Sequence, residues 1–134
     1  MEKHLVSIIT PSYNSEKFIS ETINSVQNQT YQNWEMIIVD DCSTDKTISI
    51  INEFLYDKRI KLYQLKNNSG TGIARNKALS LSSGRFIAFL DSDDIWKSEK
   101  LEKQVDYLIS ENKPFTFSFY DCIDESGKFL HKTI

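Results

Sequence analysis

Short apolar runs separated by amphipathic stretches set the frame of this chain. Val6-Ser7-Ile8-Ile9-Thr10 is the first, and Pro11-Ser12-Tyr13-Asn14 ends it, which predicts a buried strand and a turn. Phe18, Ile19, Thr22, Ile23 and Val26 then share one face at helical spacing, with Asn14 or Ser15 placed to cap. Glu35-Met36-Ile37-Ile38-Val39 predicts a second strand, ending in Asp40-Asp41-Cys42-Ser43. Thr44 or Asp45 caps a second helix through Thr47, Ile48, Ile51, Phe54 and Leu55. Ile60 to Leu65 alternates and reads as a third strand. A polar loop, 67–72, leads into a third helix from about Gly72 to Ser82, which uses Ile73, Ala74, Ala78, Leu79 and Leu81 for packing. Gly84 precedes a fourth strand, Phe86 to Leu90. Ser98 is placed to cap a fourth helix carrying Leu101, Val105, Leu108 and Ile109. Phe115 to Tyr120 alternates strictly and predicts a fifth strand, and Ser126-Gly127 a hairpin turn before Lys128-Phe129-Leu130.

Repeated β-α units of this kind make an α/β fold: a mainly parallel sheet with helices on both faces, a three-layer αβα Rossmann-like sandwich interrupted after the fifth strand. The near-continuous apolar strands fit a sheet covered on both sides. At 134 residues the chain is expected to form one domain, 1–134, with a real core.

Charge and composition narrow the function. Hydrophobic residues at 40% and charged residues at 26% suit an ordinary globular protein. A net charge of −3 without a basic stripe argues against nucleic acid. Lys58, Arg59 and Lys61 read as a solvated edge. No run approaches the roughly 20 apolar residues that span a bilayer, and the first strand leaves no room for a signal peptide. Cys42 and Cys122 lack CxxC spacing and read as reduced thiols of a cytoplasmic protein. His4 and His131 have no partner at metal-ligand spacing and read as surface residues.

The chemistry concentrates where strands end. Phe86-Ile87-Ala88-Phe89-Leu90 runs into Asp91-Ser92-Asp93-Asp94, three carboxylates within four positions. Like charges so placed raise one another's pKa unless a cation lies between them, and a hard divalent ion takes oxygen ligands and shares them with phosphate. In open α/β sheets ligands bind beyond the carboxyl ends of the strands. The first strand delivers Thr10, Pro11, Ser12, Tyr13 and Asn14 there, the second Asp40 and Asp41, and the fourth the acidic cluster. Each element also has a plain structural reading. Asp40 to Thr44 suits a loop and cap, Ser12-Tyr13-Asn14 a turn, Arg75 a surface position, and the acidic cluster a cap. Gly70-Thr71-Gly72 lacks the lysine-serine pair of a phosphate loop. Trp34 and Trp96 suit core or rim positions.

Val6 to Asn14, Ile38 to Asp45, Gly72-Ile73-Ala74-Arg75-Asn76 and Phe89 to Asp94, in that order, resemble the motifs of family 2 inverting glycosyltransferases, across essentially the whole chain. The resemblance implies a nucleotide-diphospho-sugar-binding domain, the N-terminal donor-binding portion of a longer enzyme of bacterial polysaccharide biosynthesis. By that resemblance Thr10, Pro11 and Tyr13 line a nucleoside pocket, Asp41 accepts a hydrogen bond from the base, and Asp40 steadies the loop. Arg75 lies near the base or diphosphate, Asp91 faces the ribose or a metal-bound water, and Asp93 holds Mn²⁺ or Mg²⁺. The implied donor is a nucleotide-diphosphate sugar, by resemblance a UDP-sugar, and the acceptor a glycan or lipid-linked hydroxyl at the inner face of a membrane. The catalytic base of the family has no counterpart here, since the setting of Asp121, Asp124 and Glu125 does not match it. Two other functions remain open: a non-catalytic nucleotide-diphosphate-binding module, and a metal-dependent phosphotransferase suggested by Asp91-Ser92-Asp93. An interrupted sheet also leaves an edge open to a second copy, and so to a homodimer.

Overall fold

The computed structural model describes residues 4–133, with side chains described through Leu130; the expected surface position of His131 lies outside them. The residues gather into two compact units, one ending at Lys100 and the other beginning at Leu101.

The first unit holds β1 (Val6–Ser12), α1 (Ile19–Gln27), β2 (Trp34–Asp40), α2 (Thr47–Asn52), β3 (Ile60–Gln64), α3 (Thr71–Ser80) and β4 (Phe86–Phe89). The strands form one parallel sheet in the order β3-β2-β1-β4. The chain steps outward from β1 to β2 to β3, then crosses back to place β4 on the other side of β1. Right-handed crossovers therefore put α1 and α2 on one face and α3 on the opposite face. Ile9, Ile37 and Val39 pack with Ala74 and Ala78 of α3, and the small alanines let the helix approach the sheet. Alternate strand residues Ile8, Met36 and Ile38 point the other way, toward the side of α1's buried Ile19, Ile23 and Val26.

All seven residues of β1 and of β2 are buried, as expected of strands covered on both faces. The expectation does not extend to the outer strands. β3 buries only Ile60 fully, and β4 leaves Ile87 and Phe89 exposed. Among the described strands each has a neighbour on one edge only.

Several local expectations shift. Neither Asn14 nor Ser15 caps α1, because their side chains bond elsewhere. Asp45 does steady the start of α2, its Oδ1 accepting from Thr47 N at 2.9 Å. That helix stops at Asn52, leaving Phe54 and Leu55 in turns. Arg59 and Lys61 are paired rather than merely solvated. Arg59 stacks 3.8 Å over Trp34 and pairs with Asp57 at 2.8 Å, and Lys61 reaches Glu35 at 2.9 Å. His4 is half-buried, edge-on to Phe86.

The end of the sheet away from the acidic cluster is stitched by one carboxylate. Glu35 Oε1 accepts from Ser7 Oγ (2.6 Å), Ser83 N (2.8 Å) and Ser83 Oγ (3.0 Å), and Oε2 accepts from Lys61 Nζ (2.9 Å). Gly84 N donates back to Ser7 Oγ at 2.7 Å. A Cβ on Gly84 would lie 2.6 Å from that hydroxyl oxygen, so the chain can pass here only as glycine. Burial alone would raise the Glu35 pKa; the hydrogen bonds from Ser7, Lys61 and Ser83 outweigh it and bring the value from 4.5 to about 2.

The second unit contains nearly all of α4 (Lys100–Ser110), then β5 (Tyr120–Ile123) and β6 (Phe129–Thr133), an antiparallel pair. The hairpin turn forms as expected, with Gly127 at φ 87°. The fifth strand does not form over Phe115 to Phe119. Phe115, Phe117 and Phe119 are 72%, 81% and 67% exposed. Alternation satisfies the local requirement for a strand, but no described strand pairs with this segment, and pairing starts only at Tyr120.

Candidate functional site

The reversal of strand order between β1 and β4 brings the carboxyl ends of β2, β1 and β4 to one rim, where an open α/β sheet forms a crevice. Asp40 and Asp41 at the end of β2 and Asp91 just past β4 therefore lie at the same end of the sheet, on either side of β1.

The two adjacent acids of β2 do different work. Asp40 is 1% exposed, and its carboxylate is taken up locally. Ser12 Oγ donates to Oδ1 at 2.8 Å, Ser43 Oγ to Oδ1 at 2.5 Å, and Ser43 N to Oδ2 at 2.8 Å. Asp41, 4% exposed, reaches instead to the loop before α3. Its Oδ1 accepts from Ser69 N at 2.6 Å and its Oδ2 from Gly70 N at 2.8 Å. Gly70 presents that amide at φ 92°, a conformation that suits glycine. The weak glycine signal in the sequence thus has a definite role, which is to wrap the loop onto Asp41 at the start of α3.

The loop after β1 is laced to the loop after β2. Asn14, at φ 45°, donates its N–H to Ser43 Oγ (2.9 Å), and its Oδ1 accepts from Thr44 N (2.8 Å). Thr10 is fully enclosed, with no hydrogen-bond partner for Oγ1. Pro11 is buried beside Val39 in register. Tyr13 is half exposed at the rim.

On the far side of β1, Arg75 Nη2 from α3 meets Asp91 Oδ1 at 3.3 Å. Arg75, Asp91, Asp94 and Phe89 line an open hollow of about 330 Å³. Asp93 is exposed beside it. Partial enclosure of Asp94, and then the charges of Asp93 and Asp91, raise its carboxyl pKa above the ordinary value. No group of three His, Cys, Asp or Glu among the described residues has the arrangement of a self-contained metal cage. The donor set is one or two hard carboxylate oxygens in a field that disfavours further negative charge. It fits a small divalent cation that completes its shell with water and phosphate.

Sequence reasoning missed Ser12, Ser69 and Gly70 as partners of the paired acids. Serine next to a strand end and a glycine in a polar loop were signals, but the pairings join residues 28 or more positions apart.

A doubly wound α/β unit with an acid-lined rim at its switch point is the framework of a nucleotide-binding domain. The family model for Glycosyl transferase family 2 matches residues 7–134, and the chain belongs to that family. It is 48% identical over 134 residues to the putative teichuronic acid biosynthesis glycosyltransferase TuaG of Bacillus subtilis (strain 168), covering 96% of this chain and 53% of that one. It is 49% identical over 133 residues to the UDP-Glc:alpha-D-GlcNAc-diphosphoundecaprenol beta-1,3-glucosyltransferase WfgD of Escherichia coli, covering 97% and 52%. The chain spans about half the length of these curated relatives. Among solved structures it is similar to S. aureus TarS 1-349 in complex with UDP, with a TM-score of 0.76 and 39% identity, covering 80% of this chain and 32% of that one. It is also similar to the mannosyltransferase PcManGT of Pyrobaculum calidifontis in complex with GDP-Man and Mn²⁺, at TM-score 0.76 and 26% identity, covering 92% and 36%. No described helix is long and apolar enough to cross a membrane.

Proposed function

We propose that this chain is the donor-binding part of an inverting glycosyltransferase that takes a UDP-sugar with a divalent cation, Mn²⁺ or Mg²⁺, and serves polysaccharide biosynthesis. The observation that supports the reading is the common rim at the carboxyl ends of β2, β1 and β4, where Asp41 holds the Ser69–Gly70 loop at the start of α3 and Arg75 of the same helix pairs with Asp91. The TarS complex with UDP and the UDP-glucose donor in the name of WfgD support a uridine nucleotide. The name of WfgD also supports a lipid-diphosphate-linked acceptor, which would bring the protein to the inner face of the membrane.

In this reading Tyr13 and the backbone of Thr10 and Pro11 wall the nucleoside, and Asp41 accepts from the base while holding the Ser69–Gly70 loop. Arg75 turns toward the diphosphate, Asp91 toward the ribose or a metal-bound water, and Asp93 holds the cation. The bound cation supplies stabilisation for the charge that gathers on the departing diphosphate. Deprotonation of the acceptor needs a separate base on the opposite face of the sugar. Asp124 is not a candidate. Ser126 Oγ (2.6 Å), Ser126 N (2.9 Å) and Lys128 N (2.9 Å) all donate to its Oδ1, and the Ser126 contact leads the interactions that hold its pKa below the ordinary value.

Calorimetry with UDP, with and without Mn²⁺, tests the donor site. Sugar transfer from a UDP-sugar, assayed with this chain and with a chain extended to its relatives' length, tests the activity. Binding with transfer only in the extended chain is expected; binding without transfer in both would favour a non-catalytic module. Asp41→Ala is expected to weaken uridine binding about tenfold or more, because it removes a base acceptor and leaves two amides unpaired at about 1–3 kcal/mol each. An NMR titration showing undiminished uridine affinity would limit Asp41 to its loop.

A further inference from the structure

Helix α1 carries two buried stripes. Ile19, Ile23 and Val26 are apolar, but Thr22, Ser25 and Gln29 beside them are also buried, at 0%, 8% and 1% exposed. Their i, i+3, i+7 spacing places them along one side of the helix and its C-terminal extension. A buried polar group left unsatisfied costs about 1–3 kcal/mol, so such a stripe persists only where partners are fixed. Part of the bonding is local, since Ser25 Oγ donates to Thr22 O at 2.7 Å and Gln29 Nε2 to Ser25 O at 3.0 Å; the remaining partners belong to the segment that leaves the acidic cluster. The single proton of Thr22 Oγ1 is shared between Ser92 O at 3.1 Å and Phe18 O at 3.2 Å. Trp96 N donates to Ser25 Oγ at 3.2 Å, and Gln29 Nε2 donates to Lys97 O at 2.8 Å. Thr30 N continues the series to Ser98 O at 2.9 Å. Just before the helix, Ser15 Oγ shares a hydrogen bond with Ser92 Oγ at 2.6 Å.

Ser92 sits between exposed Asp91 and exposed Asp93, and it alone of the three turns its side chain inward. Upstream, Leu90 N donates to Ile9 O at 3.0 Å and ties the turn to β1. The acidic turn is thus gripped on both sides by backbone groups. Its carboxylates stay side by side although their charges repel.

We infer that the polar stripe of α1, through Thr22, Ser25 and Gln29, positions the Asp91–Asp94 turn for a cation-bound diphosphate without touching either ligand. The inference rests on the proposed donor site. Pre-organisation of this kind resembles the outer-shell support of metal ligands, whose loss typically costs about 10- to 100-fold in metal affinity.

Thr22→Val keeps the shape and removes the hydroxyl; Thr22→Ser keeps the hydroxyl. Calorimetry with UDP in MnCl₂ is expected to show about tenfold weaker binding for Thr22→Val and wild-type binding for Thr22→Ser. Uridine affinity, followed by NMR titration without metal, is expected to stay unchanged in both. Amide exchange at Trp96 and Lys97 is expected to quicken in Thr22→Val alone. Wild-type UDP–Mn²⁺ affinity in Thr22→Val would overturn the inference, as would an equal loss of uridine binding, which would mark general loosening. Should Thr22→Val fail to fold, Ser25→Ala is read by the same criteria. If the unsubstituted chain binds no UDP, the donor assignment falls, and this inference with it.

Discussion

Asp93→Ala is expected to abolish the Mn²⁺-dependent part of UDP binding and to leave uridine binding as it is. Asp93 is exposed at the turn after β4, and its carboxylate makes no hydrogen bond among the described residues. Its removal should therefore cost little stability. For a hard cation it would be a direct oxygen ligand, so the loss should exceed the roughly 10- to 100-fold typical of an outer-shell partner. Removing one of three mutually repelling acids also relieves Asp94, whose pKa is raised by enclosure and then by Asp93 and Asp91. Metal-free UDP binding should thus hold or improve slightly, a sign opposite to the effect with metal. Calorimetry with Mn²⁺ giving unchanged affinity would remove Asp93 from the cation site.

The largest effect on stability is expected at Glu35, far from that rim. Glu35→Ala deletes the acceptor for two serine hydroxyls, a backbone amide and a lysine. Leaving the Ser7 and Ser83 donors without their acceptor costs about 1–3 kcal/mol each, a large share of the roughly 5–15 kcal/mol that holds a domain together. The ion pair itself contributes the smaller part, because Lys61 is 44% exposed and water screens it. The pKa of Glu35 is depressed from 4.5 to about 2. The group binds more protons in the unfolded chain, so its contribution is fully present above about pH 4.5 and is lost as pH falls toward 2, with a span of about 3 kcal/mol. Glu35→Gln should therefore be destabilised at pH 7 and show a shallower decline in melting temperature between pH 5 and 3. An acid profile identical to that of the unsubstituted chain would show that the proton is not taken up at Glu35.

The parts of the fold that follow from periodicity were legible in the sequence. The alternation of β and α elements, the buried strands β1 and β2, and the gathering of Asp40, Asp41 and Asp91 at strand ends all come from local pattern plus the rule for parallel crossovers. What escaped has another physical origin. Asn14 and Ser15 look like helix caps because their short polar side chains suit caps, yet distant loops compete for the same atoms and win. Thr22 scores as part of an apolar face, and only the neighbouring strand exit reveals its hydroxyl as a donor. Phe115 to Phe119 has the period of a strand, but a strand is a property of pairs, and pattern alone does not supply the neighbour. The outer strands expose Ile87 and Phe89 for a related reason: composition reports that residues are apolar, not that something covers them.

The central position of β1 has a kinetic consequence. Its first partner, β2, is paired through Val6 and Trp34, but its second is paired through Val6 and Phe86, some 80 residues on. Contacts at such sequence separation close late and slow the search for the native state. A nascent chain can therefore assemble the Asp40–Asp41 flank early, while the Asp91 flank waits for the last strand of the sheet. On this ordering the rim between β2 and β4 is expected to be completed last, which stopped-flow refolding with probes on β2 and β4 would test.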